Sequence, residues 1–476
     1  MSDTYDVIVI GAGPVGENVA DRTRAAGLTT AIVESELVGG ECSYWACIPS
    51  KALLRPPAAL AAARAVAGSR EAVGGRLDAA AVLARRDSFT SNWRDDSQVS
   101  WIESTGADLF RGHGRLDGPR TVTVEVPDGG GTRHLTARHA VAVCTGSVAV
   151  VPDLPGVAQA RPWTSREATS AKKVPGRLAV VGGGVVGAEM AAAWSALGSE
   201  VTLLIRGDRP LPKMEPFAGE LVAEGLASAG VDIRTGVSVT EVSRADSSGP
   251  VTISLDNGDR LDADEILFAT GRAPRTGDLG LETVGLEPGS WLEVDDALRV
   301  RGVAGDWLYA VGDANHRSLM THQGKYQARI VGAVIAARAQ GAPVDGTPWG
   351  PHAATADIAA VPQVVFTEPE AASVGLTAEE AERAGRRTRV VDYELGNVSG
   401  AALYADDYKG RARVIVDLDR NHLIGATFVG PHTGELLHAA TIAVTGEVPI
   451  DRLWHAVPSF PTMSEIWLRL LETLRG

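Results

Sequence analysis

The chain has 476 residues, with 45 Lys plus Arg against 59 Asp plus Glu and a formal net charge of −14. That acidity argues against a nucleic-acid binder or an anionic-membrane binder, and no stretch approaches the ~20 apolar residues that a membrane span needs. With 45% hydrophobic residues, 54 Gly and only three Cys, the composition predicts a soluble α/β protein of about three domains. The expected compartment is a reducing cytosol, where a cysteine pair is more often catalytic than structural. The apolar run at residues 7–10 ends in a glycine turn, too short for a signal peptide.

In chain order, residues 6–10 predict a short apolar strand. The turn that follows carries Gly11, Gly13, Pro14 and Gly16 in the pattern GxGxxG. An Ala-containing helix ending at Gly27 and a second strand over residues 29–33 complete a βαβ unit. In that context the glycines let the backbone approach a pyrophosphate at the helix N-terminus. Glu34, at the end of the second strand, is placed to accept hydrogen bonds from ribose hydroxyls.

Next comes the run Gly39-Gly40-Glu41-Cys42-Ser43-Tyr44-Trp45-Ala46-Cys47-Ile48-Pro49-Ser50-Lys51. Two thiols beside a dinucleotide site can hold two electrons as a disulfide; by spacing alone they can equally be two buried thiols of a helix. Five residues of regular helix advance about 7.5 Å, beyond the ~7 Å Cα separation that a disulfide tolerates. A bridge therefore requires Cys42 at or before a distorted helix start, which Gly39-Gly40 permits. Cys144, in the apolar run 141–144, is the third cysteine, so no structural disulfide framework competes for the pair. Residues 128–132 and 247–250 read as hairpin turns.

The βαβ pattern returns 171 residues later. Residues 177–181 match 6–10, and Gly182, Gly184, Val185 and Gly187 repeat the turn, followed by an Ala-rich helix to Gly198 and a strand over 201–204. One such motif is weak evidence for a dinucleotide; two in full context are strong. The position equivalent to Glu34 is Ile205, followed by Arg206 and Arg209. Loss of the acidic acceptor and arrival of guanidinium groups suit a 2′-phosphate, and hence NADPH rather than NADH. Gly187 weighs the other way, since many NADPH sites carry alanine at the third glycine, and Arg206 also reads as a solvated loop cation.

Together with residues 144–147, 269–272, 309–313, 362–369, 424–430 and 461–465, these motifs resemble the class I pyridine nucleotide-disulfide oxidoreductases, the family of glutathione reductase, lipoamide dehydrogenase and mercuric reductase. The resemblance covers essentially the whole chain. It implies two Rossmann-type α/β domains, for FAD and NAD(P), and a C-terminal α+β dimerisation domain. The boundaries it suggests are FAD domain 1–155, NAD(P) domain 156–276, FAD domain continued over 277–345, and interface domain 346–476 of a homodimer. In the last, strands over 411–417 and 423–429 and an apolar helix over 434–445 are also predicted from periodicity. The resemblance assigns Cys47 to the flavin side of a redox disulfide, Cys42 to exchange with the substrate, and Lys51 with Glu189 to an ion pair beside the flavin. It further assigns cofactor contacts to Gly40, Lys51, Gly114, Thr145, Gly146, Gly271, Asp313 and Thr321. No metal site is implied.

One family feature is missing. The expected His-Pro-Thr-x-x-Glu reads Phe460-Pro461-Thr462-Met463-Ser464-Glu465, so phenylalanine stands where a histidine, oriented by the glutamate, acts as acid and base across the dimer interface. Positioned acid–base groups contribute about 10²–10⁴-fold, which places ordinary glutathione or lipoamide turnover in doubt. His455 lies five residues earlier as a substitute base or as an ordinary helix histidine. Tyr44 and Trp45 could stack a planar acceptor or simply pack. The expectation is a cytosolic, FAD-dependent NAD(P)H oxidoreductase delivering electrons to a small-molecule acceptor: a quinone, a metal ion or an unusual small disulfide. The alternatives are dihydrolipoyl dehydrogenase-like activity and C–S cleavage with carboxylation. The latter resembles 2-ketopropyl-coenzyme M oxidoreductase/carboxylase, which shares the phenylalanine but not the glutamate.

Overall fold

The computed structural model describes residues 3–127, 129–246 and 249–476. The chain divides into two compact units: Met1–Pro49, Asp87–Ala149 and Gly271–Asp357 form one, and Ser50–Arg86, Val150–Thr270 and Ile358–Gly476 the other.

In the first unit, β1 (Asp3–Ile10), α1 (Pro14–Ala25) and β2 (Thr30–Glu34) form the predicted βαβ unit. β1 pairs in parallel with β2 on one side and with the Thr132–Val143 strand on the other, inside a seven-stranded sheet whose other edge carries a hairpin. The apolar run fits this central place because a parallel strand is covered on both faces. Alternate side chains enter two cores. Ile8 and Ile10 join Val33, Val141 and Val143 on one face, whereas Val7 and Val9 join Ile32, Val19, Ala328 and Val331 on the other, as a two-residue period requires. α1 and the Thr321–Ala339 helix cover this second face. Two more helices follow β2: α2 (Gly40–Tyr44) and α3 (Cys47–Arg64), which continues into the second unit.

The second unit repeats the device with the strand Arg177–Val181, the helix Val185–Ala196 and the strand Glu200–Ile205. They lie in a four-stranded parallel sheet completed by Asp232–Thr235 and Glu265–Phe268. A three-stranded antiparallel sheet follows, and then a five-stranded antiparallel sheet built around His422–Gly430 and Arg411–Asp417. The predicted helix over 434–445 resolves into a 3₁₀ turn, Thr433–Leu436, and an α-helix, Leu437–Thr445. The strands flanking both predicted hairpin turns pair antiparallel; Asp128, Ser247 and Ser248 themselves lie outside the described residues. Two Rossmann-type units and a C-terminal dimerisation domain account for this architecture. Among the described residues, no helix is long and apolar enough to cross a membrane.

Candidate functional site

The two glycine turns are built alike. Gly11 has φ +100° and Gly182 φ +119°; a Cβ there would lie 2.5 Å from the Cys144 carbonyl oxygen or 2.4 Å from that of Ala269. A Cβ on Gly16 would sit 1.9 Å from the Gly11 oxygen, and one on Gly187 1.8 Å from the Gly182 oxygen. The third glycine is therefore demanded by the turn folding onto itself in both copies. The second glycines are not crowded in this way: around Gly184 there is open space, as a backbone awaiting a pyrophosphate requires. Pro14 and Val185 each open a helix directly after its Gly N-cap.

Glu34 is buried, and its two oxygens accept hydrogen bonds from the backbone N–H of Ala12 and Glu36, each at 2.7 Å. Burial pushes its carboxyl up while those donors pull it down, and each oxygen keeps a lone pair for a ribose hydroxyl. Among the described residues, Thr145 Oγ1 is buried without a hydrogen-bond partner, and nothing occupies the space a Cβ would fill at Gly146 or Gly271. These features fit FAD. Asp313 accepts from Ser147 Oγ at 2.5 Å, and Arg272 Nε donates to the same hydroxyl at 2.6 Å. Gly114 has a packing reason of its own, for a Cβ there would meet Val33 Cγ1 at 3.0 Å.

The cysteine segment departs from the expected geometry in an informative way. Cys42 does not precede a helix; it lies within the five-residue α2, entered through Gly39 at φ +106°. The chain breaks after it, at Trp45 with φ −137°, and Cys47 opens α3. Two short-circuited helices thus replace one regular helix and relieve the 7.5 Å advance. Both cysteines are thiols, and Cys47 stands close to Cys42. Thr321 Oγ1 lies 3.3 Å from Cys47 Sγ. The Cys47 contact and burial drive the Cys42 thiol well above its ordinary range, opposed by Thr321 and Lys325. Cys144 is buried, and burial alone pushes its thiol up, so it is a packing residue. Tyr44 is buried, donates to the Val38 carbonyl at 3.1 Å and packs edge-on to Trp45.

In the second unit, Lys51 Nζ donates to Glu189 Oε2 at 2.7 Å, as the paired charges predicted. Glu189 is 3% exposed, and its other oxygen accepts from the Phe366 N–H at 3.1 Å; Lys51 also stands 5.0 Å over the Phe366 ring. Arg206 is exposed at the end of its strand. Arg209 donates to Asp208 at 2.8 Å and retains a buried Nε without a partner. Phe460 is 74% exposed, and neighbouring Val457 is 87% exposed. Glu465 is buried and accepts from Arg469 Nη2 at 2.5 Å, while its Oε2 has no partner among the described residues. His455 is exposed in a turn rather than on a helix.

Sequence reasoning missed Arg469 and the part played by Phe366. Arg469 had a readable signal, since it follows Glu465 by four residues in a helical pattern. Phe366 lies within the motif over 362–369, but it acts through its backbone and ring, which the motif does not mark.

The protein-family signature described as "Pyridine nucleotide-disulphide oxidoreductase" matches residues 5–341, and that family's dimerisation domain matches 361–470. The chain is 30% identical over 466 residues to mercuric reductase of Staphylococcus aureus, covering 97% of this chain and 81% of that one. It is 31% identical over 485 residues to dihydrolipoyl dehydrogenase of Synechocystis sp., covering 97% of both. Among solved structures, the HOCl-induced flavoprotein disulfide reductase RclA from Escherichia coli, as its Cu(II) complex, superposes with a TM-score of 0.83 over 99% of both chains at 23% identity.

Proposed function

Because the chain belongs to the class I pyridine nucleotide-disulfide oxidoreductases, we propose that it oxidises NADPH and passes two electrons through Cys42 and Cys47 to an acceptor that draws no proton from an interface histidine. FAD, when bound, supplies the two-electron relay between nicotinamide and the cysteine pair. Gly11, Gly13, Glu34, Thr145 and Asp313 would hold it. Gly182, Gly184 and Gly187 would admit the nicotinamide dinucleotide, with Arg206 and Arg209 offering donors to a 2′-phosphate. The dimerisation domain supports a homodimer.

The observation that carries this reading is the closeness of Cys42 and Cys47 at the break between α2 and α3, with Thr321 Oγ1 3.3 Å from Cys47 Sγ. A pair held in this way can open to a dithiol and close to a disulfide with little movement of the backbone. Phe460 limits the acceptor. A phenyl ring neither gives nor takes a proton, so exchange with glutathione or lipoamide lacks the usual acid–base factor of about 10²–10⁴. Quinones, metal ions and a small disulfide activated in another way remain suitable acceptors. The carboxylase reading is weakened by Glu465, which is retained and anchored here by Arg469. The test is anaerobic titration with NADPH followed by an acceptor screen on the holoenzyme. Uptake of two electrons beyond those of the flavin, with NADPH consumed faster with a quinone or metal ion than with lipoamide, is the expected result. Lipoamide turnover at the rate of an ordinary family member would overturn it.

A further inference from the structure

Ser91, Asn92 and Trp93 stand at φ +50°, +51° and +57°, three consecutive residues other than glycine in the left-handed region. L-residues visit that region singly rather than in runs, and of these three only Asn is of a type that does so readily. Such a run persists only where its surroundings over-determine it. The turn is closed by hydrogen bonds from the Trp93 N–H to the Thr90 carbonyl at 2.8 Å and from the Arg94 N–H to the Ser91 carbonyl at 3.1 Å. It delivers an indole to the redox segment: Trp93 Nε1 donates to the Tyr44 carbonyl at 3.1 Å.

Tyr44 is the last residue of α2, where a helix leaves its carbonyls unserved. The residues after Trp93 grip the same helix elsewhere. Asp95 Oδ2 accepts from the Val38 N–H at 2.8 Å and from Arg111 Nη2 at 2.6 Å. Tyr44 Oη lies 3.4 Å from the Arg94 carbonyl and 3.2 Å from Gln98 Oε1. Behind them, Ile102 of the Asp96–Thr105 helix is buried in one core cluster with Val38. One anchored segment of the first unit therefore holds both ends of the helix that carries Cys42. Cys47 is held separately, on α3, with Thr321 Oγ1 at 3.3 Å. How the two sulfurs stand to each other thus depends on the backbone from Tyr44 to Ala46, and the indole bond falls on its first carbonyl.

We propose that Trp93 is a positioning residue of the redox pair: the left-handed turn aims its indole N–H at the Tyr44 carbonyl, fixes the break between α2 and α3, and so favours the closed Cys42–Cys47 disulfide over the open dithiol. This deepens the redox reading of the two cysteines and rests on it. With glutathione disulfide as oxidant, the Cys42 sulfur attacks one glutathione sulfur, the S–S bond breaks, and one glutathione leaves with the Cys42 proton. The Cys47 sulfur then attacks Cys42, closes the internal disulfide and releases the second glutathione, which takes the Cys47 proton. Two electrons and two protons leave the dithiol, and two glutathione thiols are formed. The first step is bimolecular and indifferent to the break. The second is intramolecular, so the overall equilibrium follows the local concentration of Cys47 around Cys42.

The test equilibrates FAD-loaded holoenzymes anaerobically with graded ratios of reduced to oxidised glutathione, from the oxidised and the reduced side until both agree. Acid quenching and alkylation then count free thiols. Trp93→Gln and Trp93→Met are compared with the parent. Gln Nε2 stands as many bonds from Cα as the indole Nε1, whereas Met matches that reach without a donor. Both lose the ring alike, so a merely structural role affects both equally. First, the parent must gain two thiols on reduction; if it does not, the redox reading itself falls. Given those thiols, the constant for disulfide closure should drop about fivefold in Trp93→Met, the worth of one intramolecular hydrogen bond. That is a rise of about 20 mV in reduction potential. Trp93→Gln should keep the parent constant even where its melting temperature falls with that of Trp93→Met. Equal constants in the two variants would overturn the proposal while leaving the redox pair intact. If Trp93→Met does not retain FAD, Trp93→Phe decides, since it keeps a ring without the donor: a parent-like constant overturns the proposal and a fivefold drop supports it.

Discussion

Arg469 Nη2 donates to Glu465 Oε1 at 2.5 Å, one helical turn along the Ile466–Arg475 segment. The carboxylate that would orient a histidine in the family is thereby held by a guanidinium of its own chain, while its Oε2 stays buried and unpartnered. This explains how Glu465 survives without the histidine. A buried carboxylate is costly alone, and Arg469 supplies the charge that a protonated imidazole would share.

The free Oε2 makes a restoration experiment specific. Phe460→His places an imidazole in the sequence position that Glu465 serves, and disulfide reduction should rise by about tenfold, a cautious part of the usual acid–base factor. Quinone reduction should hardly change. Adding Arg469→Leu should raise the gain further, because the carboxylate then serves the imidazole alone, whereas Arg469→Leu by itself should bring no gain. A double-mutant cycle on kcat/KM measures this coupling. Additive effects would show that Arg469 does not compete for the carboxylate.

Glu189→Gln should destabilise the second unit. The carboxylate is 3% exposed and serves both Lys51 and the Phe366 N–H. Removing one partner of a fully buried ion pair costs about 3–5 kcal/mol. The Lys51 side chain is 36% exposed, and solvent screening reduces the expected loss to about 1–2 kcal/mol. Urea unfolding followed by fluorescence would read this as a lowered midpoint at unchanged slope.

Cofactor choice turns on the end of the Glu200–Ile205 strand. Ile205 is buried where Glu34 stands in the first copy, and Arg209 keeps an unused buried Nε donor. The expected outcome is a higher kcat/KM for NADPH than for NADH. Arg206→Glu should weaken NADPH use at least about tenfold, since a charge-assisted contact is worth ~1.5–3 kcal/mol. The parent using both cofactors equally, with no response to the mutation, would count against a 2′-phosphate role.

Legibility followed the range of the interaction. The two βαβ units could be read because strand, turn and helix are contiguous, and the self-contact of Gly16 with Gly11 is a local necessity. Glu34 could be read because the strand end fixes its place, whereas Lys51 and Glu189 were brought together by the family resemblance. The break at Trp45 was not legible: nothing in Ser43 to Ala46 dictates a second helix start, although the expected distorted start before Cys42 is there, at Gly39 and Gly40.

The cysteine pair offers the most direct test of the proposed chemistry. Cys47 opens α3 with Thr321 Oγ1 at 3.3 Å, whereas Cys42 lies within α2, and Lys325 acts on it. The two thiols therefore differ in surroundings and should differ in role. Two-electron reduction of the holoenzyme should produce a long-wavelength absorbance from a thiolate beside oxidised flavin. Cys47→Ser should abolish it, because the sulfur assigned to the flavin side is gone. Cys42→Ser should display it without any reductant, since Cys47 can then no longer form a disulfide. Disulfide reduction should be lost in both variants, as neither retains a pair able to carry two electrons. Quinone reduction should persist in both if electrons can leave directly from the flavin. If the variants keep the parent's spectrum and its disulfide activity, Cys42 and Cys47 are packing thiols like Cys144.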